Sequence, residues 1–423
     1  MSPVAVDGPR QRPMKGSTQE DAQETARGVT VKDAKERKEV WWINGVFVAL
    51  AHVVALVTVA TVTPKWQTVL MTFVVIVLGE LGITMGYHRL WSHRAYTGST
   101  ALRVLLAFMG TLGFQGSIKW WVLRHRLHHR YTDDAIHDPY SATRGFWFSH
   151  MGWIFEKPTY TRMGLVDASD LNADPIVRFQ HKHFVPLAMT SCFILPTILG
   201  SVWGDALAGY LYGGIVSRIC IWHATFCINS FAHWIGEQEF SSEHTARGTT
   251  LLAIMTMGEG YHNFHHEFPK DYRNGIHPLD WDPTKWLIFI ASRVGLASNL
   301  YVYPENEISK ARVSTAMSKL EEKKAKLDWG PKEESLPLIS SSKDVAAVSQ
   351  LVGHEEWMVL EGFILDVSKF RSAHPGGEKL IDGYMKKDAT KAFYGMLNNH
   401  SKSARTMVEM LRVAKVASEN VGL

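Results

Sequence analysis

A chain of 423 residues that is 46% hydrophobic with a mean hydropathy of −0.08 is long for one domain and mixes apolar spans with substantial water-facing parts. Its formal charge of +4 is small for this length and its basic residues form no long run, which argues against nucleic acid as a partner. Cys192, Cys220 and Cys227 all fall in apolar stretches with no CxxC pair, so no disulfide framework is expected and the usage fits chemistry on the reducing, cytosolic side of a membrane.

Residues 1–39 are polar and lack the apolar core of a cleaved signal peptide, which predicts a disordered cytosolic tail. Within residues 40–304, four segments approach the about 20 residues that a spanning helix needs: 43–62, 68–87, 184–203 and 210–231. They pair as two hairpins, joined by Pro64 to Gln67 and by a few residues around Asp205. Lys32, Lys35, Arg37 and Lys38 precede the first span and Arg89, Arg94 and Arg103 follow the second, so the positive-inside bias puts both ends in the cytosol. A shorter, Gly-rich apolar stretch at 101–118 reads as an interfacial helix. Residues 305–344 form a charged linker, helical until the turn-prone Trp329, Gly330 and Pro331, and 345–423 has the size of a small soluble domain.

Nine of the twenty histidines fall in four tight groups of the membrane region. His88 and His93 belong to HRLWSH, His125, His128 and His129 to HRLHH, His262, His265 and His266 to HNFHH, and Asn229 with His233 to NSFAH. Spacings of i, i+3 and i+4 put each triplet on one helix face, so each triplet is expected to grip one centre, and Asn229 and His233 share a face by the same rule. His88 and His93 would point about 140° apart on a straight α-helix, so the helix is expected to end or bend between them. Eight or nine imidazoles exceed the four donors of a tetrahedral zinc site, and imidazole suits iron, so two metal ions are the economical number. The bland alternatives are surface histidines or structural zinc. The Glu and ExxH carboxylates of soluble di-iron bundles are missing from the set.

HRLWSH, HRLHH, the Asn229 to His233 spacing and EGYHNFHH, in that order over roughly residues 40 to 300, together resemble the membrane acyl-CoA delta-9 desaturases. The resemblance implies a mainly α fold: a four-helix transmembrane domain with a cytosolic helical cap holding a di-iron site. The nine histidines would ligate two Fe ions directly and Asn229 through water, with no further catalytic residue. The reaction implied is O2-dependent insertion of a cis double bond between carbons 9 and 10 of a saturated fatty acyl-CoA, with the protein orienting an unactivated chain and excluding water. By the same matching, Gln115, Trp121 and Thr225 fall where the family's substrate tunnel bends, and Phe226 stands beside the site where a tryptophan is expected. Asn44 matches a head-group contact, whereas the Arg and Asp usual before the second box are here Leu123 and Arg124. Glu80, inside the second span, is costly there unless paired or wetted, and reads either as a tunnel end or as a partner of His52 or Arg218.

In the C-terminal segment, FRSAHPGGEKL and KDATKAFYGMLNNH resemble a cytochrome b5 domain, the fungal arrangement of the family. The Pro and two Gly after His374 make a tight turn that presents its imidazole, and His400 offers a second axial ligand to haem b. With both axial positions filled, such a haem moves electrons only, which makes the segment a fused α+β donor domain, and fusion raises its local concentration. An NADH-dependent cytochrome b5 reductase, membrane lipid and a multi-pass position in the endoplasmic reticulum membrane complete what the resemblance implies. A histidine-box lipid hydroxylase and a membrane-anchored haem electron carrier are the rival readings.

Overall fold

The computed structural model describes residues 39–341, 345–395 and 400–417; nearly all of the expected N-terminal tail, with Lys32, Lys35, Arg37 and Lys38, lies outside the described residues. The chain separates into two compact units, divided after Ala316.

The first unit is helical. Its principal helices are α1 (Trp42–Thr61), α2 (Trp66–Ser92), α3 (Thr100–Leu112), α4 (Ile118–Arg130), α5 (Phe146–His150), α6 (Phe184–Val202), α7 (Ala206–Trp234), α8 (Thr250–Met255), α9 (His262–Glu267) and α10 (Pro283–Arg293). Among the described residues, α1, α2, α6 and α7 are the helices long and apolar enough to cross a membrane. Helices α2 and α7, at 27 and 29 residues, outrun the expected spans. At about 1.5 Å per residue they reach roughly 40 Å, more than the ~30 Å of hydrocarbon, so part of each stands clear of it. The two hairpin links are tied together: Asp205 Oδ2 accepts from Lys65 N at 2.9 Å and from Thr68 Oγ1 at 2.6 Å, and Lys65 Nζ donates to Trp203 O at 2.7 Å.

From Gly82 to Ser92 helix α2 is wound as a π-helix, and all eleven of those residues are buried. The helix ends at Ser92, between His88 and His93 as expected, with His93 as its C-cap. Its last turns are also wider than α-helical, His93 N donates to His88 O at 3.1 Å, and the five-residue spacing becomes close to one turn, with ring centroids 4.8 Å apart. Gly82 opens this segment because α3 presses against it: a Cβ there would overlap the backbone of Met109 and Gly110. Leu102, Leu106 and Met109 of α3 pack with Ile83, Tyr87 and Leu90 of α2, while Val104, Leu105 and Phe108 stay exposed. The helix is shorter than the apolar stretch, because Phe114 and Gly116 turn the chain at positive φ and Ser117 then caps α4 by accepting from Trp120 N.

Glu80 is 8% exposed, and neither expected partner meets it. His52 Nε2 lies 3.0 Å from His223 Nε2, and Arg218 Nη2 donates to Ser217 Oγ at 2.9 Å.

The second unit contains a four-stranded sheet in the order β1 (Leu338–Ile339), β4 (Arg412–Val416), β3 (Phe363–Asp366), β2 (Trp357–Leu360). Its first strand comes from within the segment read as linker and runs parallel to β4. A tight turn with positive φ at Glu361 and Gly362 joins β2 to β3. Alternation along β2 and β3 divides the buried side chains between two faces, with Met358, Leu360 and Leu365 on one and Trp357, Val359 and Ile364 on the other.

Gly82→Ala is expected to destabilise the first unit by about 1–3 kcal/mol through overpacking against α3. The check is the thermal midpoint in detergent, with Gly164→Ala, where a Cβ meets nothing within 4 Å, unchanged as the control.

Candidate metal centre and cavity

The nine histidines come together in two groups: His88, His93, His125, His129 and His265, and His128, His233, His262 and His266. Within each group one ring nitrogen per residue lies within 4.8 Å of all the others. Neighbouring Nε2 atoms approach to 2.8 Å for His93 with His125, 3.0 Å for His88 with His265, and 3.2 Å for His262 with His233. Donors about 2.0–2.1 Å from a common ion stand at roughly these separations. The donor set therefore fits two metal ions.

The expectation that each triplet grips one centre is corrected. On α4, His125 and His129 turn to the first group and His128 to the second; on α9, His262 and His266 turn to the second and His265 to the first. Residues at i and i+4 stay together, about 40° apart on the helical wheel, while the i+3 member, about 60° from the first and about 100° from the second, looks to the other side. Both helices thus lie between the two groups and serve both.

What aims the rings was not read from the sequence. His88 Nδ1 meets Glu259 Oε2 at 2.9 Å, and Glu259 Oε1 accepts from Arg89 Nη2 at 2.9 Å. Arg89 also donates to Asp282 Oδ2 at 3.0 Å, and all three of these partner residues are essentially inaccessible. His128 Nδ1 meets Asp138 Oδ1 at 2.9 Å. His233 Nδ1 meets Thr245 Oγ1 at 2.8 Å, and that hydroxyl donates to Asp133 Oδ1 at 2.7 Å. Carboxylates, and a hydroxyl whose hydrogen is already given away, accept from Nδ1–H, which leaves the Nε2 lone pairs of these three histidines facing the centre. Only Glu259 had a nearby signal, as the first letter of EGYHNFHH. Its histidine partner is His88 of the other end of the domain, which no spacing discloses.

Burial, then the neighbouring imidazoles, push His93, His125, His129, His262, His265 and His266 well below the usual histidine range. Neutral rings are the form that donates a lone pair to a metal. Burial alone would raise Glu259; His88 and the Arg89 guanidinium instead hold its carboxyl well below the usual range.

A cavity of about 300 Å³ reaches this centre, lined by His88, His125, His128, His262 and Asn229. Asn44, Gln115, Trp121, Thr225 and Phe226 line it as well. Three of them are hydrogen-bonded in series: Trp121 Nε1 donates to Gln115 Oε1 at 3.2 Å, and Gln115 Nε2 to Thr225 Oγ1 at 2.7 Å. Trp121 also stacks on His125 with centroids 4.9 Å apart. Asn44 Nδ2 is engaged with Ile154 O at 2.9 Å, and Glu80 is not among the lining residues.

In the second unit the rings of His374 and His400 lie 6.4 Å apart, centroid to centroid. Two imidazoles bound at about 2 Å on opposite sides of one iron have ring centres roughly 6 Å apart, so the pair fits a haem. His400 Nδ1 donates to Phe393 O at 2.8 Å, which frees Nε2, and the Phe393 ring stacks on it at 4.1 Å. Residues 396–399 of the KDATKAFYGMLNNH motif lie outside the described residues.

A multi-pass helical protein with a buried nine-histidine centre at the end of an apolar cavity, followed by a small sheet domain with a facing histidine pair, defines the class. Residues 64–280 match the fatty acid desaturase family, and residues 344–417 match the cytochrome b5-like heme/steroid binding domain. The chain is 42% identical over 376 residues to a probable acyl-CoA desaturase of Schizosaccharomyces pombe, covering 89% of this chain and 77% of the relative. It is 44% identical over 340 residues to acyl-CoA desaturase 1 of Saccharomyces cerevisiae, covering 80% and 66%, and 40% identical over 267 residues to delta(9)-fatty-acid desaturase fat-6 of Caenorhabditis elegans, covering 62% and 78%. The chain belongs to the fatty acid desaturase family and carries a cytochrome b5 domain at its C-terminal end.

Glu259→Gln is expected to weaken metal retention by the first group roughly 10- to 100-fold, and Asp138→Asn to do the same for the second. Metal content per protein during titration with a chelator checks both, each variant losing about half its metal early while the other half follows the wild-type curve.

Proposed function

We propose that the chain is an acyl-CoA delta-9 desaturase that places a cis double bond between carbons 9 and 10 of palmitoyl- or stearoyl-CoA, with two Fe ions held by the nine histidines and Asn229, and haem b held by His374 and His400. The observation that carries the reading is the cavity, apolar along its wall and ending on the metal groups. When bound, the irons supply O2 activation and hydrogen abstraction, and the haem supplies electrons singly. Five imidazoles in the first group are one more than a closed tetrahedral zinc site takes, which favours an ion accepting five or six donors.

The chain's own residues orient and exclude. The series Trp121, Gln115 and Thr225 fixes one stretch of the wall by hydrogen bonds, so an acyl chain threaded past it meets a surface that does not rearrange. Apolar lining by Phe47, Val48, Phe114 and Trp222 keeps water from the reacting carbons. Among the described lining residues Arg124 is the one arginine or lysine, and no carboxylate pairs with it. Its guanidinium lies 3.3 Å from the Trp120 ring centroid, and its Nε donates to Tyr160 OH at 3.2 Å. Glu156, which also lines the cavity, is neutralised by Arg144 at 2.9 and 2.5 Å. A cavity-lining cation that no carboxylate pairs with among the described residues suits the anionic head group of an acyl-CoA.

The C-terminal ends of α2 and α7 both carry histidines of the centre, and the two hairpin links bind each other, so the centre belongs to one side of the membrane and the links to the other. Together with the basic flanks this supports cytosolic termini in the endoplasmic reticulum membrane, where an NADH-dependent cytochrome b5 reductase would reduce the haem.

Expression in cells lacking their own desaturase is expected to yield cis-9 monounsaturated chains, located by mass spectrometry; hydroxylated chains would assign the protein to the hydroxylase reading instead. His374→Ala is expected to abolish product where no other cytochrome b5 is present while leaving the iron content intact. Arg124→Ala is expected to raise KM for acyl-CoA roughly tenfold, the worth of one charged hydrogen bond, with kcat little changed.

A further inference from the structure

Three histidines outside the metal groups lie in a line across three helices. His52 of α1 places Nε2 3.0 Å from Nε2 of His223 of α7, and His223 places its other nitrogen, Nδ1, 3.0 Å from Nε2 of His150 of α5. In the metal groups one nitrogen from every ring converges on a point. Here His223 uses both of its nitrogens in opposite directions, so no single ion is in reach of all three rings. The arrangement is a hydrogen-bonded chain.

Its direction follows from its ends. The carbonyl of Val48, 2.7 Å from His52 Nδ1, can only accept, so His52 carries its hydrogen on Nδ1 and offers a lone pair at Nε2. His223 therefore donates from Nε2 and accepts at Nδ1, and His150 donates from Nε2. That leaves His150 Nδ1 as an acceptor 2.8 Å from Ser230 Oγ, whose one hydrogen also faces Phe226 O at 2.8 Å. Three neutral imidazoles supply the three hydrogens of the links from Val48 to His150, and the Ser230 hydroxyl supplies one shared between His150 Nδ1 and Phe226 O. Burial lowers the pKa of His150, in keeping with a neutral chain.

Every member touches a residue that lines the cavity. His52 bonds Val48 and stands 6.5 Å from the Trp222 ring; His223 and His150 contact the Phe226 ring at 5.6 and 5.7 Å; Ser230 Oγ also lies 2.8 Å from Phe226 O. Val48, Trp222 and Phe226 all line the cavity. The chain thus joins α1, α5 and α7 behind the wall, where imidazoles left unpartnered at membrane depth would cost several kcal/mol.

We propose that His52, His223 and His150 are positioning residues for desaturation: acting as one hydrogen-bonded unit, they hold the Val48, Trp222 and Phe226 wall and thereby fix which carbons lie against the metal groups. This rests on the desaturase reading above. A wall that yields lets the chain slide, which misplaces the reacting carbons without touching the head group. The expected signature is in kcat and in the position of the double bond, not in KM.

The test uses the full-length chain with its metal and haem contents verified. His223→Leu keeps bulk and removes both links; kcat is expected to fall roughly ten- to a hundredfold at little-changed KM, with double bonds appearing at neighbouring positions. His223→Asn, whose Oδ1 can again accept from His150 Nε2–H, is expected to restore most of the rate and the single position. Should His223→Leu not accumulate, His52→Leu, at a half-buried site on the outer helix, carries the same expectation. Wild-type kcat and a single product in the Leu variant that accumulates would overturn the proposal, as would failure of His223→Asn to improve on His223→Leu. If the wild-type chain itself forms no cis-9 product, the desaturase reading fails, and this outcome is separate from the other two.

Discussion

A buried imidazole offers a metal one lone pair only if its hydrogen is taken up on the opposite side of the ring. That constraint organises the first unit. For His88, His128 and His233 the hydrogen is taken by Glu259, Asp138 and the Thr245 hydroxyl; Asp138 and Thr245 lie in the loops that follow the helices of their histidines, whereas Glu259 is remote in sequence from His88. Removing water from the rings keeps them neutral, and that burial comes from α2, α4 and α9 closing on one another. The π-helical winding of α2 belongs to the same requirement. An α-helix would carry His88 and His93 to different faces, whereas the wider turn brings them to one group, and Gly82 lets α3 lie close enough to bury the segment.

The two groups are not equivalent electrostatically. The first has five imidazoles, and its one carboxylate partner, Glu259, is neutralised by Arg89. The second has four, and behind it stand Asp138 and Asp133, whose oxygens accept from backbone N–H groups and a hydroxyl with no cation pairing them among the described residues. A cation in the second group therefore gains from two uncompensated carboxylates what the first obtains from an additional donor. The cavity lining includes His128 and His262 of the second group and His88 and His125 of the first, so a substrate chain meets both environments.

Much of this was legible in the sequence, because the features concerned are local. Apolar runs of sufficient length gave the four spans, and short-range spacing collected the nine histidines and the HPGG turn of the haem domain. Where the reading went astray, the cause was geometry that a one-dimensional pattern lacks. HRLHH and HNFHH were assigned whole to single centres because i, i+3 and i+4 share a face, yet a helix wedged between two sites divides that face between them. The helix end expected between His88 and His93 is there at Ser92, but the π winding that brings both rings to one group has no signature in the spacing. Glu80 reads either as a tunnel end or as a partner of His52 or Arg218, whereas it is not among the lining residues of the cavity and His52 is committed to His223 and Val48. Asp138, Asp133 and Thr245 have no signature, and Glu259 only its place at the head of EGYHNFHH, since an acid or a threonine near a histidine is commonplace and only tertiary contact makes it the acceptor.

The lengths of α2 and α7 follow from where the chemistry must occur. An acyl chain is apolar and belongs in hydrocarbon, while metal ions with their buried charged partners belong outside it. A site that serves both must sit at the boundary and be held by elements that continue through it. Loops springing from the membrane surface would leave the histidines free to move relative to the cavity. Helices that run on past the hydrocarbon carry Asn229 and His233, and His88 with His93 at its end, on the same rods that line the cavity with Thr225, Phe226, Ile83 and Thr84. Metal and substrate wall then share one rigid frame, and the distance between them is set by helix geometry and not by loop conformation.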